Sequence, residues 1–470
     1  MSGLFNSLFS SRKKKEEDDH QSTGGAQSLN TSGSSQTSLQ DNPLPTLNEI
    51  QILSAHTEPV KVLLKIDEKR LASAGDDYII YIWSIETGRN IMELIGHTNR
   101  VTCLLSLNGN ILVSGSMDKS IKMWDLSKPV YNESSKSYYL EPIRTLLQHV
   151  ETIKYLEKIP GGFCSASIGD SLHLWFENGD YNRSIAKSSP CTNAILCVNN
   201  NYIVTAESTS PFLIAYRLNE SLPPMTLGGH NGSVNCLLNI SDKYFVSGSR
   251  PSDPDKSSKA NESPRLKSLI SAPKPANDKT LIIWSSTDFT QVAHYSCNRS
   301  ISSLYQITEN YILATIYKGF GIFDTHGNLL LEYSPDNPDH KTEINGALTL
   351  YDNTRIITWG DDPKLTMWAW NMRDVETKKK SAPLKPIPIG EIRGHTDYIK
   401  CVTVLGDHSI ATGGSDNTII MWKDGKDQSS IRNHMAGVSL YNHQTNYSDF
   451  YDEDTNKLQE FKYEDREPII

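Results

Sequence analysis

Five histidines in this chain each stand ahead of an aspartate, with a hydroxyl residue between them. A hydrolase uses that trio as general base, orienting carboxylate and nucleophile. The sets are His56, Ser73 and Asp77; His97, Ser114 and Asp118; His230, Ser247 and Asp278; His340, Thr358 and Asp362; and His395, Thr412 and Asp416. A tryptophan follows each aspartate at one fixed interval: Trp83, Trp124, Trp284, Trp368 and Trp422. A catalytic triad is built once, whereas these residues recur as a set. Their chemistry suits a buried relay, because indole only donates, hydroxyl and imidazole pass the bond on, and carboxylate ends it. We therefore read them as structural tetrads. The sequence shows no P-loop, H-E-x-x-H, G-x-S-x-G or calcium-loop pattern. No catalytic residue, cofactor site or metal ligand is assigned, and an enzyme is not expected.

The elements that position the tetrads follow from their spacing. In three sets 20 residues separate His from Asp and five separate Asp from Trp. The His230 set fits once a 27-residue insertion is removed, and the His340 set is one residue longer before its threonine. Units begin near residues 56, 97, 149, 191, 230, 297, 340 and 395, a spacing that suits propeller blades. Short apolar runs such as Ile79–Trp83, Leu281–Trp284 and Ile419–Trp422 are strand-like and bounded by turn residues. The expected fold is all-β: a closed propeller of eight four-stranded blades over residues 47–425. Leu47–Leu53 should supply the last blade's missing strand and close the ring. Three units look decayed. The third has His149, Ser165 and Trp175, with Asp170 one residue out of register; the fourth keeps Thr205 and Tyr216, and the sixth Thr315 and Phe323. Apolar packing should carry those blades.

Composition narrows the function. The net charge of −9, from 46 basic and 55 acidic residues, lacks the basic excess of a nucleic-acid binder. Of seven cysteines, Cys103, Cys236 and Cys401 each lie six residues after a tetrad histidine, which marks a small buried strand position and a reducing compartment. No apolar run is long enough to span a membrane. Residues 1–46 form a polar tail with an apolar start and a basic run, to be disordered or at most to touch a membrane surface peripherally. Residues 250–277 interrupt the fifth unit. The seventh-blade loop, 369–389, is basic and proline-rich, a tether or a docking finger. Residues 426–470 are acidic with aromatic anchors, disordered or a docking helix. Candidate partner contacts are Ile50, Ile52, Trp370, Met372, Phe450 and Phe461.

The repeated tetrad resembles the WD-repeat family. Two stretches are closer to one branch of it: Ala72–Asp77 through Glu93–Thr98, and Gly390–His395 through Ile420–Gly425, are similar to the WD repeat-containing protein 41 family. That resemblance implies a non-catalytic cytoplasmic scaffold in a complex with DENN-module proteins. Such a complex regulates small GTPases and autophagy and is recruited to lysosomes through an amino-acid transporter. The alternatives are a WD40 adaptor for another complex, such as a cullin ubiquitin ligase, and a propeller enzyme. The W-D-x-R signature of ligase receptors is missing, the nearest match being Trp124-Asp125-Leu126-Ser127.

Overall fold

The computed structural model describes residues 47–185, 192–219, 222–251, 279–297, 299–333, 343–377, 383–406 and 408–425. All of them fall in one compact unit, Pro45–Ile470. The apolar runs form strands because their β-branched residues pack on pleated faces and Gly- or Asp-containing turns end them. In the first blade the middle strands, Arg70–Gly75 and Ile80–Ser84, are buried almost throughout. A propeller explains this, since each blade is covered on both faces by its neighbours.

Among the described residues eight sheets are present, and seven hold four strands each. In the second unit the order from the channel outward is Val101–Ser106, Ile111–Ser116, Ile121–Asp125 and Arg144–Leu146. The eighth blade is Ile399–Gly406, Ser409–Gly414 and Ile419–Asp424, with Leu47–Leu53 as its outer strand. Leu47–Leu53 runs antiparallel to Ile419–Asp424, pairing Ile50 with Trp422 and Leu53 with Ile419. Lys423 Nζ then donates to the Ile85 carbonyl at 2.8 Å, and Asn417 Nδ2 to that of Thr57 at 2.8 Å, tying the last blade to the first.

Side chains on the innermost strands stitch neighbouring blades. At one end Thr102 donates to the Ile153 carbonyl (2.5 Å), Lys154 to Thr192 (3.1 Å), Asn193 to Val234 (3.0 Å) and Asn235 to Ile301 (3.2 Å). At the other end the direction reverses: Asn239 reaches the Cys197 carbonyl at 2.7 Å and Gln306 that of Ile240 at 2.5 Å. The repeated cysteines sit against strand glycines. A Cβ on Gly115 would lie 2.5 Å from Ile153 of the next blade and 2.8 Å from Cys103 Sγ, and Gly248 meets Ile301 and Cys236 in the same way. Burial pushes the Cys103, Cys236 and Cys401 thiols up to about 12, so they are inert packing atoms.

Three features differ from expectation. The long second unit holds an extra hairpin, Val130–Asn132 and Ser137–Leu140, which leaves its own blade and adds to the first. Leu140 pairs in parallel with Leu94, giving that sheet six strands. The seventh-blade loop is shorter than 369–389, because Lys364–Ala369 and Ile387–Arg393 extend into it. It also contains a helix, Met372–Thr377, and a bridge from Leu384 to Leu331 of the sixth blade. Residues 1–46, 252–278 and 426–470 lie outside the described residues.

Candidate functional site

The tetrad residues meet at the interior of their blades. In the first, Trp83 Nε1 donates to Ser73 Oγ at 2.8 Å, Ser73 bonds His56 Nε2 at 2.7 Å, and His56 Nδ1 donates to Asp77 at 2.7 Å. The second repeats this with 2.9, 2.7 and 2.7 Å for Trp124, Ser114, His97 and Asp118. The eighth has 2.8, 2.7 and 3.0 Å for Trp422, Thr412, His395 and Asp416. The backbone amides of Thr57, Thr98 and Thr396 also donate to the three carboxylates. In the fifth blade Trp284 and His230 converge on Ser247 at 2.7 and 2.6 Å, and Asp278 lies outside the described residues. In the seventh Trp368 donates to Thr358 at 3.0 Å, and His340 lies outside them. Asp362 there is raised, chiefly by burial, above the usual carboxylate range.

Electrostatics agrees with a structural role. Burial pushes His97 below its ordinary value despite the opposing pull of Asp118, so the ring stays neutral. Burial alone would raise Asp118, but hydrogen bonds from His97 and Ser120 outweigh it and hold the carboxyl well below its ordinary value. Ser73, Ser114, Ser247 and Thr412 are fully buried beneath an indole. A nucleophile must be reached by substrate, and these hydroxyls are not.

The third blade corrects the reading of a decayed tetrad. Trp175 donates to Ser165 at 2.8 Å, Ser165 bonds His149 at 2.6 Å, and His149 Nδ1 donates to Asp170 at 2.9 Å. The sequence separation of His149 and Asp170 is 21, as in the regular blades, while Ser165 and Trp175 have both moved one residue toward the histidine. The turn absorbs that shift and the carboxylate still reaches.

This blade also stacks His173 on His149, with ring centroids 4.1 Å apart and 13° from parallel. Burial, then the charge of His149, pushes His173 down to about 4, and burial also lowers His149. The unfolded chain takes up these protons near pH 6.5, its ordinary histidine range, while the fold keeps both rings neutral. Stability is therefore complete above about pH 6.5 and falls as the pH drops toward about 4. Thermal melts at about pH 7.5 and about pH 5.5 should show wild type losing more on acidification than His173→Ile. Equal losses would show that His173 is not held neutral.

The candidate partner contacts separate in the structure. Ile50 and Ile52 are exposed, by 47% and 59%, on the outer strand of the eighth blade. Trp370 is only 7% exposed and packs with Phe320, Ile322, Ile356 and Trp368, with Met372 half-buried against them. This corrects their selection as partner anchors: in a loop that folds back onto the ring, large apolar side chains fill the gap between the sixth and seventh blades. Phe450 and Phe461 lie outside the described residues. Sequence reasoning missed the outer hairpin, where Tyr131 and Tyr138 meet edge to face at 5.2 Å and both remain exposed. The long interval between His97 and His149, with tyrosines in its middle, was the available signal. It also missed a polar cavity of about 780 Å³ lined by Asn235, Arg250, Arg299, Tyr317 and Glu343 among others.

A family model described as WDR41 matches residues 16–138, and the WD domain, G-beta repeat, matches 222–257 and 386–423. The human WD repeat-containing protein 41 is 22% identical over 86% of this chain and 92% of its own length. The mouse protein of the same name is 23% identical over 86% and 93%. Mitochondrial division protein 1 of Eremothecium gossypii is 29% identical, but over only 28% of this chain and 18% of its own. Among solved structures, the computationally designed Ika8 protein superposes with a TM-score of 0.58 at 16% identity, covering 79% of this chain and 98% of that one, a likeness of fold alone. Similarity running through 86% of the chain, with the family model over its first blades, supports a WD40 β-propeller similar to the WD repeat-containing protein 41 family.

Proposed function

We propose that the chain is the non-catalytic WD-repeat scaffold of a DENN-protein complex that regulates small GTPases, autophagy and lysosome function. The observation that carries this reading is similarity to WD repeat-containing protein 41 along nearly the whole length of both chains. A ring whose tetrad hydroxyls and histidines are spent on internal bonds suits a platform better than a catalyst. In this reading the chain works in the cytoplasm and reaches the lysosomal membrane through a transporter partner. The partner face includes Ile50 and Ile52, two branched apolar side chains left in solvent on one side of a strand that is otherwise anchored by buried leucines.

Affinity purification of the full chain from cells, read by mass spectrometry, tests this. DENN-module proteins are expected in the wild-type eluate. Ile50→Asp with Ile52→Asp should lower their recovery by about tenfold or more, as loss of an interface hot spot does. The melt should stay unchanged, because neither side chain is packed. Recovery of cullin adaptors in place of DENN proteins would overturn the assignment. DENN recovery that is indifferent to both substitutions would move the interface to another blade.

A further inference from the structure

Two residues before the blade tryptophan, the other tetrad blades carry Tyr81, Lys122, Ile282, Thr366 and Ile420, and the third carries His173. That ring is 7% exposed, and its Nδ1 has no hydrogen-bond partner among the described residues. Buried polar atoms are nearly always satisfied, and an orphan points to a water or an ion. One donor atom each of His149, Asp170 and His173 lies within 4.8 Å of the other two. Asp170 also differs from its counterparts: its side chain is 16% exposed, against 2% for Asp77 and 7% for Asp118 and Asp416. The third blade therefore joins two imidazoles and a carboxylate with a path from solvent.

We propose that His149, Asp170 and His173 form a site for a divalent transition-metal ion of the zinc class. Two neutral imidazoles and one carboxylate, with water in the fourth position, are a standard ligand set for such an ion. The tetrad supplies the outer shell. Trp175 fixes Ser165, and Ser165 fixes His149 Nε2, which holds the ring in place as metal-bound histidines usually are. On binding, the ion replaces the proton between His149 Nδ1 and Asp170, now 2.9 Å apart. Donor distances of about 2.0–2.2 Å need that gap to open by only a few tenths of an ångström. The displaced proton moves to His149 Nε2 and is donated to Ser165, whose own hydroxyl hydrogen turns away. The stacked rings do not aim their lone pairs at one point, so His173 turns about its Cβ–Cγ bond, and its Nδ1 has no hydrogen bond to give up.

The test uses the full chain, stripped with a chelator and titrated with zinc against a chelating dye, and in parallel with cobalt. Wild type should take up one tight equivalent of zinc, melt higher with it, and give a visible cobalt spectrum of nitrogen and oxygen ligation without thiolate bands. His173→Ile and His173→Tyr use residue types that the other blades hold at this position. They should keep the metal-free melt and lose the zinc equivalent, the cobalt spectrum and the zinc-dependent rise. Whichever variant retains the wild-type melt decides. A wild type without stoichiometric zinc overturns the proposal, as does a folded His173 variant that binds as wild type does, since other histidines or the cysteines would then hold the ion.

Discussion

Replacing Trp124 with alanine is expected to cost about 4 kcal/mol of stability and to lower the melting temperature by about 5–10 °C. The indole is wholly buried in a cluster shared by the first two blades, with Leu94, Leu104, Leu112 and Leu140 around it. Truncation leaves a cavity the size of an indole between two sheets that cannot close over it without moving a strand. It also takes the donor from Ser114, which keeps His97 but loses the second of its two side-chain bonds. Trp124→Phe separates the two effects, because it retains most of the volume and loses only the N–H; about 1–2 kcal/mol should follow. Thermal and urea melts of the three proteins check the ordering. A wild-type melt for Trp124→Ala would mean that blades one and two are not packed through this residue.

The ring of eight was legible because its tetrad residues, widely separated in sequence, keep one interval in most units. The period survives even where a tetrad does not. What the sequence hid was local geometry. Asp170 is out of register with Ser165, whereas its bond depends on its separation from His149, which is the same as in the regular blades. The hairpin of Val130–Asn132 and Ser137–Leu140 has strands of three and four residues, too short for alternation to show, and its pairing with Leu94 joins units that sequence order treats as separate. Trp370 follows the strand Lys364–Ala369 and by sequence belongs to a loop. It is buried in a cluster of sixth- and seventh-blade side chains, contacts between distant segments that no periodicity encodes.

Removing residues 1–53 is expected to abolish the cooperative melt, while removing residues 1–46 leaves it intact. The difference is one strand. Within Leu47–Leu53, Leu47 packs with Leu348, Ile357 and Trp422, and Leu53 packs with Val60, Leu71 and Met421. Its two ends therefore touch the seventh blade and the first, on either side of the blade they complete. Losing two buried leucines at about 2–5 kcal/mol each reaches the whole margin of a typical fold, about 5–15 kcal/mol. It also bares the edge of Ile419–Asp424, inviting pairing with a second chain. The register offers a rescue. Leu47 lies opposite Asp424, so the strand that is lost begins where its partner ends. A chain lacking residues 1–53, in which Leu47–Leu53 instead follows Asp424 through a short Asn-Gly turn, should pair as an ordinary hairpin and recover the wild-type melt. Circular dichroism melts with size-exclusion profiles of the four chains decide. If the chain without residues 1–53 melts as wild type does, the eighth blade is stable with three strands and Leu47–Leu53 does not hold the ring closed.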